Sequence, residues 1–411
     1  MGAVLATVLM ATSVDAVAPA RGAESSTRSA ARQDSFTVVP TMRMNDPTHH
    51  RGQVARLLRT YVAHTPRGAT ISILSFYLSS SITWPALRAA YERGVDIRVI
   101  LFGGPDGQPM TSLSPEGVKL QAMIDEGRAH GRRGSWVVWT RRTARGVDSG
   151  NTVMHAKLWQ FSRVGRTEKV TVIGSYNNGD PPDARAYSAM VTLTDPKLYR
   201  HTQAMFLESA KDRRDGKNPQ RRFTGDGWDL YFFPSTPITA ANDPVMDRLR
   251  AIPGNADTQM TVSMYSMQGR RGAWLARRLA TMVEGGAQLT LVVGPDVEAS
   301  VQRTLRAAGA TLEDGCWRTG NRRNPYAYTH DKEMTATWVE DGVRKYGAWL
   351  GSDDWGNGPG GSQSDQATVG LFSEWAFTKL TKLLAPQIAH EPDNLARCRP
   401  LGAKTGWVDP G

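Results

Sequence analysis

The sequence predicts an α/β protein of two similar lobes. Three observations lead there: a strand–helix–strand pattern that occurs once in each half, a pair of short motifs that recur at matching spacing, and a length of 411 residues, enough for two lobes with real cores.

In the first half, Thr70 to Tyr77 is rich in β-branched and aromatic residues and reads as a strand. A helical stretch follows from Trp84 to Arg93 and is stopped by Gly94. Asp96 to Leu101 is an apolar strand closed by Gly103-Gly104, and a second helix is expected over Ser114 to Glu126. The second half repeats this order. Gln259 to Tyr265 is a strand, Ala273 to Val283 a helix ending at Gly285-Gly286, Gln288 to Val293 a strand closed by Gly294-Pro295, and Val297 to Ala308 a helix. Ser75-Phe76-Tyr77 aligns with Ser263-Met264-Tyr265. Strand, helix and strand at this spacing form a βαβ unit, so each lobe is expected to hold a mixed, mostly parallel sheet flanked by helices. The boundary is expected within Lys211 to Gly227, a polar stretch without apolar period. This places the lobes at 36–215 and 225–395, after a signal peptide at 1–23 and a flexible lead-in at 24–35, with a tail at 396–411.

The recurring motifs lie later in each half. His155-Ala156-Lys157 precedes Gly174-Ser175-Tyr176-Asn177, and His330-Asp331-Lys332 precedes Gly351-Ser352-Asp353-Asp354. From composition, only about 0.2 H-x-K triplets are expected by chance in this chain. Each G-S turn ends an apolar strand, and strand ends in sheets flanked by helices are where α/β proteins place ligands. Two histidines suit a phosphodiester. A neutral imidazole attacks phosphorus, and a protonated one gives its proton to the leaving oxygen. Two lysines neutralise charge on the equatorial oxygens.

This arrangement resembles the phospholipase D superfamily over roughly residues 36 to 395. Its members carry H-x-K-x4-D followed by G-S-x-N, once in each of two repeats. The resemblance implies two phospholipase D-like lobes with the active site at their interface, a phosphodiesterase working through a phosphohistidine, and no metal or other cofactor. Carried over residue by residue, His155 is the nucleophile and His330 the acid and base, with the reverse assignment left open because the matching segment after the first turn has no acid. Lys157 and Lys332 bind phosphate, Asn177 donates an amide N–H to it, and Ser175 and Ser352 offer hydroxyls nearby. A carboxylate after G-S-x-N usually orients each histidine. Asp365 fits that place for His330, and Asp183 is the nearest acid for His155. The sequence departs from the family pattern at Ser162 and Thr337, where the motif Asp is expected, and at Asp354, which replaces the second Asn. Asp354 is expected to pair with Lys332, His330 or an Arg, to be protonated, or to contact a substrate hydroxyl or amine.

The net charge of +11 favours an anionic partner, although the excess of 39 Arg over 11 Lys also fits a GC-rich genome. Arg128, Arg132, Arg133, Arg141, Arg142, Arg145, Arg318, Arg322 and Arg323, with Trp136, Trp139, Trp317, Tyr326 and Tyr328 between them, suggest a basic and aromatic rim before each motif. The apolar run Ala3 to Ala11 has the length of a signal-peptide core, with small-residue cleavage sites near 20–23. No other stretch approaches the 18 apolar residues of a membrane span. Cys316 and Cys398 suggest one disulfide in an exported protein. His49-His50 reads as a surface loop and Asp353 to Gly358 as a turn rather than a calcium loop. The expectation is therefore a secreted, monomeric phosphodiesterase that contacts membrane surfaces and removes phospholipid headgroups by hydrolysis or transfer. A secreted nuclease and an inactive phosphate- or membrane-binding relative remain the alternatives.

Overall fold

The structure is a computed structural model that describes residues 35–146, 152–180, 185–213, 220–235, 237–318, 326–357 and 361–388. The expected signal peptide, the tail with Cys398, and Asp183, Arg322 and Arg323 lie outside the described residues. The side chains of Trp317 and Arg318 are likewise not described.

The first half runs β1 (Thr41–Asn45), α1 (Gln53–Ala63), β2 (Thr70–Ser75), β3 (Leu78–Ser79), α2 (Trp84–Arg93), β4 (Asp96–Phe102), α3 (Pro115–Ala129), β5 (Trp136–Thr140), β6 (Leu158–Val164), β7 (Thr167–Gly174), β8 (Asn178–Gly179), β9 (Ala186–Leu193) and α4 (Pro196–Ser209). The second runs β10 (Arg221–Gly225), β11 (Trp228–Phe232), α5 (Pro244–Ala251), β12 (Gln259–Met267), α6 (Gly269–Glu284), β13 (Gln288–Val297), α7 (Ala299–Ala308), β14 (Thr311–Asp314), β15 (Cys316–Arg318), β16 (Tyr326–Thr329), β17 (Lys332–Glu340), β18 (Val343–Gly351), β19 (Ala367–Leu371) and α8 (Glu374–Ile388).

Local chemistry explains the bounds. Pro85 sits in the first turn of α2, and Gly94 ends it at φ 98°. Asp195 caps α4 by accepting from the N–H groups of Lys197 and Leu198. Hairpin β17–β18 turns on Asp341-Gly342, both at positive φ, between the paired Glu340 and Val343.

The first sheet has the order β15-β16-β9-β7-β6-β2-β4-β5, with β1 also on β9. The second has the order β10-β11-β19-β18-β17-β12-β13-β14. The βαβ units are as expected: β2 is parallel to β4, and β12 to β13. The sheets are mixed, but they are not mostly parallel. In both, antiparallel pairings outnumber parallel ones, because tight hairpins such as β6–β7 and β17–β18 reverse the chain beside each βαβ unit. A second difference is topological. The β15–β16 hairpin belongs to the second half in sequence, yet β16 pairs with β9 of the first sheet.

One core lies against β2 and β4 in the first lobe and another against β12 and β13 in the second. A third joins the lobes: Met42, Leu74, Ile173 and Val191 share it with Leu230, Leu350, Val369 and Leu380. Among the described residues no helix is long and apolar enough to cross a membrane.

Candidate active site

Both H-x-K motifs lie at the same edge of their sheets. Leu158, just after the first motif, pairs with Leu74 at the end of β2, and Lys332 pairs with Met264 near the end of β12. The G-S turns close β7 and β18 at that edge. Gly174 and Gly351 are required there: a Cβ on Gly174 would press into the carbonyl of Ala189, and one on Gly351 into Thr368 and Ala367. The expected alignment of Ser75 with Ser263 shifts by one residue. The paired register matches Ser75-Phe76 to Met264-Tyr265, which puts one ring beside each histidine. Phe76 lies 5.7 Å from the His155 ring and Tyr265 5.1 Å from the His330 ring.

Each motif is tied to the opposite lobe. The His155 N–H donates to the Asp365 carbonyl at 3.0 Å, and the His330 N–H to the Tyr187 carbonyl at 2.9 Å. In the same pattern the Ser175 and Ser352 N–H groups bond Ala189 and Ala367. Residues 365–367 and 187–189 are therefore equivalent, each threaded beside the other lobe's histidine.

These exchanges bring His155, His330, Lys157, Lys332 and Asp354 together, with Asn177 at the first G-S turn, and none of the six is more than 4% exposed. Lys157 Nζ donates to the His155 carbonyl at 2.6 Å, and Lys332 Nζ to the His330 carbonyl at 3.0 Å. Lys332 lies 3.8 Å from the Asp354 carboxyl. The Asn177 amide atoms and both Asp354 carboxyl oxygens are buried without a hydrogen bond from the protein, as is His155 Nε2. A cluster of buried polar atoms with no protein partner marks a place for a polar ligand.

Burial holds the His155 pKa well below the ordinary histidine range, and the charges of Lys157, Lys332 and His330 push the same way. His155 Nδ1 is 3.0 Å from Gln366 Oε1. An amide oxygen only accepts, so Nδ1 carries the proton and Nε2 the lone pair. Burial likewise raises the Asp354 carboxyl to about 8, although Lys332 and Lys157 oppose the shift.

Several expected roles move. Asp365 does not orient His330. Its backbone serves His155, and its carboxyl accepts from the Ala144 N–H and pairs with buried Arg145 at 3.4 Å. The reason is the crossed threading, which carries each post-turn segment to the other lobe's histidine. The Ser175 and Ser352 hydroxyls accept from the N–H groups of Ala189 and Ala367, which stitches the turns to the adjoining strands. Ser175 also donates to Glu333 at 2.8 Å. Ser162, at the first missing motif Asp, bonds the Thr70 N–H, while Thr337 donates to the Lys345 carbonyl; both act within their sheets. Several residues named for the basic and aromatic rim are engaged within the protein. Arg128 pairs with Asp125, and Arg132 lies over Tyr91 and bonds the Val95 carbonyl at the opposite end of the sheet. Arg145 is buried and Trp136 stacks on Phe206.

Gln366 was not legible as a site residue, because its target is 211 positions away. Asp331 and Glu333, alternating around Lys332, are also buried, and burial raises both carboxyls. Their places in the first lobe are taken by Ala156 and Leu158. The second turn is anchored by Arg271, which holds Asp353 through two bonds of 2.8 Å, the Asp354 carbonyl at 2.8 Å, and Asp243 at 2.9 and 3.1 Å. Among the described residues no group of three or more His, Cys, Asp or Glu is set to hold a metal ion.

Two α/β lobes thus converge two H-x-K motifs on one buried site that holds two histidines and two lysines. Residues 66–209, which include the first motif and the first G-S turn, match the family described as cardiolipin synthase, PLD-like domain. That stretch resembles a phospholipase D-like domain. Polyphosphate kinase from Porphyromonas gingivalis superposes with a TM-score of 0.52 at 12% identity, covering 90% of this chain. The chain spans 55% of that kinase. Phosphatidylserine synthase from Haemophilus influenzae superposes with a TM-score of 0.51 at 9% identity, covering 92% of this chain and 97% of the synthase. At these identities the likeness is one of fold. No curated protein matches the sequence.

Proposed function

We propose that this protein is an exported phosphodiesterase that removes headgroups from phospholipids through a phosphohistidine. The observation that carries the reading is the convergence of both histidines and both lysines in one buried site. His155 Nε2 attacks phosphorus and forms the N–P bond as the P–O bond to the leaving alcohol breaks. His330 gives that oxygen its proton. Water, or an acceptor alcohol in transfer, then loses a proton to His330 and displaces His155. Lys157, Lys332 and Asn177 face the charge that grows on the equatorial oxygens. The low proton affinity of His155 keeps it neutral at physiological pH, as a nucleophile must be.

A lipid substrate is favoured by the wall beside His155. Phe76, Tyr77, Phe102 and Val153 form a separate apolar cluster, with Met110 and Leu113 packed against it. Arg132 and Arg145 are engaged within the protein, which weakens part of the case for nucleic acid. The family matched by residues 66–209 is also described by a lipid enzyme.

The test presents the purified protein with phosphatidylcholine vesicles and single-stranded DNA side by side, in EDTA. Choline release without DNA cleavage is expected. His155→Ala and His330→Ala should each lower it by at least about 1,000-fold, the scale of losing a member of a covalent catalytic unit. DNA cleavage alone would establish the nuclease alternative.

A further inference from the structure

We propose that Asp354 is a hydrogen-bond donor to the bound phosphoryl group, and therefore carries a proton when the site is occupied. The inference rests on the phosphate-site reading above and deepens it. By the equivalence of the two turns, Asp354 occupies the place that Asn177 holds in the first lobe. Both side chains are 1% exposed, and the end atoms of both lack a hydrogen bond from the protein. The Asn177 amide can donate to a phosphate oxygen as it stands. The Asp354 carboxyl, which has the same shape, can do so only in its acid form, because an ionised carboxylate has no hydrogen to offer.

The surroundings decide between acid and anion. Lys332, 3.8 Å away, and Lys157 across the interface favour the anion. Asp353 and Asp296 oppose it, and so does burial. Arg271 is occupied by Asp243, Asp353 and the Asp354 carbonyl. His155 is held neutral by its own surroundings, and His330, with the Asp331 and Glu333 carboxyls that flank Lys332, also titrates nearby. Burial is the largest of these influences, and it raises the carboxyl to about 8. A phosphodiester brings one more negative charge into this enclosure and can only push it higher. Binding of the anion is then coupled to uptake of a proton.

Dimethyl phosphate is a suitable probe, because it stays a monoanion through the relevant range and contributes no proton of its own. Its binding to the intact protein and to Asp354→Asn is measured by calorimetry in two buffers of different ionisation enthalpy. The intact protein should take up more protons than the variant, by up to one per anion. Its affinity should be level below about pH 8 and fall about tenfold per pH unit above it, while that of Asp354→Asn stays level to about pH 9. Proton uptake by the intact protein is a measurement in itself and needs no variant. Equal uptake and equal pH dependence in the two forms would overturn the inference and leave the phosphate site standing. Absence of binding to both would overturn the site reading and the inference together.

Discussion

Gln366 accepts from His155 Nδ1 without adding a charge, so it fixes the ring while leaving the proton affinity of Nε2 low. A carboxylate in that place would fix the ring and also stabilise the imidazolium. The equivalent position beside His330 is Ser188, whose hydroxyl is buried without a hydrogen bond. The two histidines thus stand in different surroundings, and in the mechanism proposed above His155 is the one that attacks. Since neutral His155 is the reactive form, activity falls as pH drops through its pKa, and that limb lies below the ordinary histidine range. Gln366→Glu raises the pKa, so the acid limb of kcat/KM should move to higher pH. Gln366→Leu removes the orientation, and kcat should fall about 10- to 100-fold, the usual cost of losing an outer partner that holds a reactive histidine. A pH–rate series on the three proteins checks both expectations.

Between residue and molecule, the elements show how much could be read in advance. Helix α2 and hairpin β17–β18 were legible because Pro85, Gly94 and Asp341-Gly342 act locally. The motifs were legible because they recur. The excess of antiparallel pairing and the passage of β16 into the first sheet were not, since partners distant in sequence leave no local signal. The role of Asp365 failed for the same reason: spacing within one half cannot reveal that the segment crosses to the other. Arg271 belongs with these hidden contacts. It joins the start of α5, through the cap residue Asp243, to the second G-S turn through Asp353. Arg271→Met would leave two buried carboxyls unpaired, at a cost of about 3–5 kcal/mol. Urea denaturation should show that loss, with residual activity reduced because the Asp354 turn is no longer held.

For the whole molecule, the shared apolar core between the sheets and the β9–β16 pairing make the lobes one structural unit. Calorimetry should record a single cooperative transition, with calorimetric and van't Hoff enthalpies in agreement. Two separate transitions would show that the interface is weaker than its burial implies. The exposed Phe372 and Trp375 bear on membrane contact differently. Phe372 follows the end of β19, while Ala367 at its start adjoins the Ser352 turn, so the length of the strand, roughly 13 Å, separates Phe372 from the site, and Trp375 lies three residues further on in the first turn of α8. Phe372→Ser with Trp375→Ser is therefore expected to leave turnover on short-chain, monomeric phospholipid unchanged. Any effect should be confined to vesicle binding, read by co-sedimentation.

The crossed backbone bonds from His155 to Asp365 and from His330 to Tyr187 also determine how this protein can vary. Because the side chains of these crossing segments, such as Gln366, stand beside the other repeat's histidine, a single substitution in one repeat can retune a histidine far from it in sequence.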